Sequence, residues 1–160
     1  MEQAMATSIS NSNHRGFAET AVQKGSLIVG IVFLLVGILG FIPGITTNMD
    51  TLQFAGHESD ALLLGVFQVS ILHNLVHLLF GVAGIALARS ASASKKFLIW
   101  GGAIYAVLWL YGLFIDHDSM ANFVPLNTAD NWLHFVLAVG MIALGVLLPR
   151  LGRRTTNRAA

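Results

Sequence analysis

Phe97-Leu-Ile-Trp-Gly-Gly-Ala-Ile-Tyr-Ala-Val-Leu-Trp-Leu-Tyr-Gly-Leu-Phe-Ile115 carries no charge over 19 residues, between Lys95-Lys96 on one side and Asp116 on the other. About 20 apolar residues in a helix cross a hydrocarbon core of roughly 30 Å. The segment therefore reads as a transmembrane helix. Short loops rich in Lys and Arg stay cytoplasmic, so it runs from inside at Lys96 to outside at Asp116.

Three more uncharged runs flank it: Gly25–Met49, Ala61–Ala88 and Asn131–Pro149. Pro43 and Gly44 are expected to end the first helix near Ile42. The second run would be about 42 Å long if wholly helical, so its helix must tilt, protrude outward or begin late. Asn127, Thr128 and Asp130 offer capping oxygens before the fourth helix, and Pro149 is expected to close it. The predicted spans are about 25–42, 64–88, 97–115 and 131–148. The fold class is all-α, an integral membrane bundle of four helices.

All nine Lys and Arg residues lie on one side of these runs. Arg15 and Lys24 precede the first, Arg89, Lys95 and Lys96 separate the second from the third, and Arg150, Arg153, Arg154 and Arg158 follow the fourth. The other two connections carry Asp50, Glu58, Asp60, Asp116, Asp118 and Asp130 instead. This asymmetry predicts a multi-pass membrane protein with both termini in the cytoplasm. Residues 1–22, polar and without an apolar period, read as a disordered cytoplasmic tail, and 151–160 as a basic one. The first run is followed by Gly-Phe-Ile-Pro-Gly, not by a small-residue cleavage site, so it is expected to be retained.

With 55% hydrophobic and 11% charged residues, the chain is far from the balance of a soluble domain, where about a quarter is charged. It has no cysteine, which excludes disulfides, thiolate metal sites and a thiol nucleophile. No phosphate-binding loop, dinucleotide fingerprint, nucleophile elbow or His-Glu-x-x-His motif is present. The expected partners are the lipid bilayer and other membrane proteins, a homo-oligomer is compatible, and nothing calls for nucleic acid.

The even-numbered helices resemble each other. Asn74-Leu-Val-His77-Leu-Leu-Phe-Gly81-Val-Ala-Gly-Ile-Ala-Leu87 lies over Asn131-Trp-Leu-His134-Phe-Val-Leu-Ala138-Val-Gly-Met-Ile-Ala-Leu144. More faintly, Lys24, Gly30, Phe33 and Gly40 match Lys96, Gly102, Tyr105 and Gly112. Two related helical hairpins about an axis along the membrane normal would account for both matches. His77 lies 12 residues, about 18 Å, before Arg89, and His134 lies 16 residues, about 24 Å, before Arg150. Both then fall in the outer half of the membrane.

At about 100° per residue, Ser70, His73, Asn74, His77, Gly81 and Gly84 form one stripe, which should face protein rather than lipid. Asn131, His134, Ala138, Met141 and Gly145 form a similar stripe on the fourth helix. The intramembrane cluster His73, Asn74, His77, Asn131 and His134 is read first as hydrogen-bonding glue between helices. Replacing Asn74 with Leu should then lower stability. The alternative is a small b-type cytochrome, with His77 and His134 as axial ligands of haem b. A proton path is disfavoured, because no Asp, Glu, Lys or Arg lies within a span. His57, Glu58, Asp60 and Asp116-His117-Asp118 read as solvated loop charges. No catalytic or metal-binding residue is assigned, and the chain is read as a non-enzymatic membrane component.

Leu72-His-Asn-Leu-Val-His-Leu-Leu-Phe-Gly-Val-Ala-Gly84, Trp109-Leu-Tyr-Gly112 and Asn122-Phe-Val-Pro-Leu-Asn-Thr-Ala-Asp-Asn-Trp-Leu-His134 also carry a family likeness. Over residues 24–150 the chain resembles a bacterial family of small four-span membrane proteins classed as a domain of unknown function. The resemblance implies a four-span protein of the cytoplasmic membrane, and no reaction, cofactor or catalytic residue.

Overall fold

The computed structural model describes residues 16–156, with side chains as far as Leu151. The expected tails lie outside the described residues at 1–15 and 157–160. Residues 16–22 are placed, and belong to the folded domain. Four helices carry the architecture: α1 (Ala21–Leu39), α2 (Ile71–Leu87), α3 (Ala91–Phe114) and α4 (Thr128–Thr156). Helix α1 packs along α2 and α3 along α4, and these are the two dominant helix contacts. Weaker contacts from α1 to α3 and α4 join the pairs.

Thr20 opens α1 with a capping box, its hydroxyl accepting the Gln23 backbone N–H while the Gln23 side chain accepts from Thr20. The Gln23 amide then donates to the Ala88 carbonyl at 2.9 Å, and Ser26 donates to the Gly84 carbonyl at 2.8 Å. The start of α1 is thereby clasped to the end of α2. Phe33, Phe97, Leu98, Tyr105, Ala138 and Met141 form the core between the helix pairs.

The second helix departs from expectation. It starts at Ile71, not near 64, because residues 62–68 form a small β-hairpin. Strands β1 (Thr46–Thr47), β2 (Leu62–Leu63) and β3 (Phe67–Gln68) make an antiparallel sheet in that order. The turn between β2 and β3 places Leu64 and Gly65 at φ 55° and 69°, a conformation that breaks a helix and suits glycine. Four backbone N–H groups at the start of α2 find partners: Gln53 and Phe54 carbonyls for Ile71 and Leu72, and the Ser70 hydroxyl and carbonyl for His73 and Asn74. Ser70 is thus a cap, outside the helical stripe. Gln68 sits in β3 and donates to the His57 and Ser59 carbonyls. Ala61, Leu63 and Val69 fill a second, smaller core under this sheet.

Pro149 does not end the fourth helix; α4 continues through it to Thr156. The proline ring meets the carbonyl four residues earlier, and that residue is Gly145, which has no side chain to add to the crowding.

Helices α1, α3 and the Thr128–Leu151 part of α4 are each long and apolar enough to cross a membrane. Helix α2 is equally apolar, but with 17 residues it is shorter. Ile28, Leu35, Leu79, Val82, Trp100, Val107 and Val136 all face outward. A continuous apolar surface of this kind belongs in lipid. This is the build of a membrane protein.

Candidate functional site

The five residues of the expected polar cluster are all buried: His73, Asn74, His77, Asn131 and His134. The buried residues of α2 are His73, Asn74, His77, Gly81 and Gly84, so the polar-and-small stripe does face protein. The structure brings the histidines together and leaves the asparagines apart from them.

His73 and His77 stack one turn apart on α2, with ring centroids 4.4 Å from each other. His77 Nδ1 faces the His73 carbonyl at 3.1 Å, which assigns the proton to Nδ1 and leaves Nε2 as an acceptor. The Tyr105 hydroxyl of α3 stands 3.5 Å from that Nε2 and donates to it. The Tyr105 ring also meets the His134 ring edge-on, at 5.2 Å. One tyrosine therefore touches imidazoles of both even helices. Phe33 and Phe80 pack against the Tyr105 ring, and Phe97 packs against Phe80.

His73, His77 and His134 share a cavity of about 210 Å³ with Asp130. Val36 of α1, Leu133 of α4 and the β2–β3 hairpin complete its walls. Asp130 was read from sequence as an outer loop charge and a capping group. It does cap: Asn127 and Asp130 exchange hydrogen bonds, each side chain accepting the other's backbone N–H. The Asp130 carboxylate also accepts the Gln68 N–H at 2.9 Å, and so pins the hairpin to α4. Nothing along the chain signals this second role, since Gln68 and Asp130 are 62 residues apart.

The expected cross-helix amide bonds are not formed. Both polar atoms of the Asn74 side chain lack a partner, as does Asn131 Oδ1. Each amide instead presses on a glycine, Asn74 on Gly40 and Asn131 on Gly112. His73 Nδ1 and His134 Nδ1 are also buried without a partner in bonding geometry, although the Pro125 carbonyl lies close to the His73 ring. Among the described residues no group of three or more His, Asp or Glu side chains is arranged to hold a metal ion. The loop residues near His117 bond locally, its ring to the Gly112 carbonyl and its own carbonyl to Asn122.

The contacts repeat between the two hairpins. Phe33 packs on His77 at 5.4 Å as Tyr105 packs on His134 at 5.2 Å. Gly30 meets the α2 backbone at Gly81 and Ile85, while Gly102 meets α4 at Ala138 and Ile142. Gly40 against Asn74 has its counterpart in Gly112 against Asn131. Even the caps correspond, Ser70 for α2 and Asn127 for α4. Equivalent residues thus touch equivalent residues, which places the similarity in packing rather than in apolar composition alone.

No curated protein and no solved structure matches this chain. One family model does, over residues 23–147, a stretch that takes in both hairpins and the whole cluster. The chain belongs to the family described as Domain of unknown function (DUF4383).

Proposed function

We propose that the chain is a non-enzymatic, four-span component of a bacterial cytoplasmic membrane, with both termini inside, that meets lipid and other membrane proteins through its apolar outer faces. The observation that carries this reading is the separation of charge along the bundle. Lys24, Arg89, Lys95, Lys96 and Arg150 gather at the end where α1 and α3 begin, and Asp50, Glu58, Asp60, Asp116, Asp118 and Asp130 at the other. Helix α2 is about 26 Å long, a little under the hydrocarbon thickness. The exposed Leu64 and Val66 of the adjoining hairpin extend its apolar surface outward, which supports counting it as a span. Reporter fusions at Ser92 and Ser119 test the threading: the first should report the cytoplasm and the second the outside. Finding both in one compartment ends the reading.

The cluster supports a structural role, because its rings stack on one another and on Phe33 and Tyr105. A second reading, the small b-type cytochrome, draws support from His77 and His134 sharing one cavity. Against it stand the Tyr105 hydroxyl on His77 Nε2 and a volume below the roughly 300–1,000 Å³ of ordinary cofactor pockets. The structural reading predicts a colourless purified protein. A Soret band that vanishes in His134→Ala would replace it with the cytochrome.

A further inference from the structure

The cavity at the acidic end combines apolar walls with polar atoms that the fold leaves unused. His73 and His134 are 6% and 4% exposed, line this cavity, and each has a buried Nδ1 without a partner. A buried polar atom left unpaired costs about 1–3 kcal/mol, and here two residues that each hold such an atom line the same cavity. They belong to two different helix pairs, so no shift within one hairpin brings them a partner from their own helix.

The lining decides the chemistry of what would satisfy them. It contains no Lys, Arg, Ser or Thr, so nothing in it would neutralise an anion. Asp130 is an acceptor already engaged by two backbone N–H groups, and His77 uses its own N–H on the His73 carbonyl. His73 and His134, as neutral imidazoles, each offer one N–H donor and one acceptor nitrogen. A neutral hydroxyl, which both donates and accepts, fits either ring; a cation would lose more hydration inside the membrane than one engaged carboxylate returns. The size points the same way. An engineered cavity of about 150 Å³ takes up benzene, and this one is about 210 Å³, room for a single ring with its hydroxyl groups.

We propose that the cavity between α2, α4 and the β2–β3 hairpin is a binding site for a neutral, lipid-soluble, single-ring hydroxyl compound of the phenol class, held by His73 and His134. Leu64, on the exposed hairpin tip, borders the cavity and marks where such a molecule enters.

The test uses the full-length protein in lipid nanodiscs with ¹⁵N-labelled histidine, titrated with phenol and separately with toluene, a ring of the same size without the hydroxyl. Phenol should shift the ring-nitrogen signals of His73 and His134 saturably and leave those of His57 and His117 in place, while toluene moves none of them. Leu133→Trp, which fills the cavity from α4 without removing an imidazole, should abolish the phenol shift. Val36→Phe does the same from α1 should the first variant not fold. Equal responses to phenol and toluene, a phenol shift that survives the filled cavity, or no saturable shift in the unaltered protein would each overturn the proposal.

Discussion

The α1–α2 hairpin and the α3–α4 hairpin are built on one plan, yet they meet their partners with different atoms. In the first, Gly30 lies against backbone on every side: a Cβ there would stand 2.7 Å from the Ile85 nitrogen and 2.9 Å from the Gly81 carbonyl. In the second, the residue opposite Gly102 is Ala138, not glycine, and the nearest atom to an added Cβ is a side-chain carbon of Ile142, at 2.7 Å. At Gly30 the three nearest atoms are all main chain, whereas at Gly102 a side-chain carbon comes first, ahead of the Ala138 carbonyl at 2.9 Å and the Ile142 nitrogen at 3.1 Å. Without a hydrophobic force between helices in lipid, close packing of small residues is a principal source of helix association. Gly30 therefore has less room for change than Gly102.

The largest expected effect follows directly. Gly30→Ala should cost about 3 kcal/mol, at the upper end for overpacking, because no backbone neighbour can turn away. Gly102→Ala should cost about 2 kcal/mol, since Ile142 can change rotamer but the Ala138 carbonyl at 2.9 Å cannot. Gly140, with nothing within 4 Å of an added Cβ, is the control, and Gly140→Ala should leave stability within about 0.5 kcal/mol. Unfolding in mixed detergent micelles measures all three. Equal costs at Gly30 and Gly102 would break the contrast between the hairpins.

The helix caps give a smaller difference of the opposite sense. Ser70 accepts one backbone N–H, that of His73, at 3.1 Å, and Ser70→Ala should cost about 1 kcal/mol. The Asp130 carboxylate accepts two, one of them from β3, so Asp130→Ala should cost about 2 kcal/mol. It should also speed amide exchange at Gln68, where Ser70→Ala should not. Protected Gln68 exchange in Asp130→Ala would show that the hairpin is held by other contacts.

The smallest effect has the sign opposite to the one read from the sequence. Asn74 was expected to hold helices together, so that Asn74→Leu would destabilise. Its amide is fully buried and has no hydrogen-bond partner. Leucine of similar shape should then be neutral or up to about 1 kcal/mol more stable, by thermal unfolding in detergent. A clear loss of stability would restore the view of Asn74 as glue.

Much of this architecture was legible in the chain. Charge-free runs located the helices, and the Asn-x-x-His match between the second and fourth helices pointed to equivalent seats now visible as Phe33 on His77 and Tyr105 on His134. The buried stripe on α2 followed from helical periodicity alone. What escaped was set by tertiary contact. Residues 61–70 are as apolar as a helix, and only Gly65 and the β-branched Val66 and Val69 hinted at a hairpin; its stability comes from Asp130 and the loop carbonyls. Composition likewise could not show that the amides of Asn74 and Asn131 press on Gly40 and Gly112, since an asparagine in a helix reads the same whether bonded or not. Pro149 reads as a stop in the chain because the tolerance supplied by Gly145 is a matter of local geometry.

The hydrogen bonds from Ala18 and Gln23 to the Ala88 carbonyl join the two ends of the first hairpin within its own 70-odd residues. Those bonds need nothing from α3 or α4, so the pair can close without them. The second pair then arrives at a finished template, so errors of assembly should concentrate in the C-terminal half.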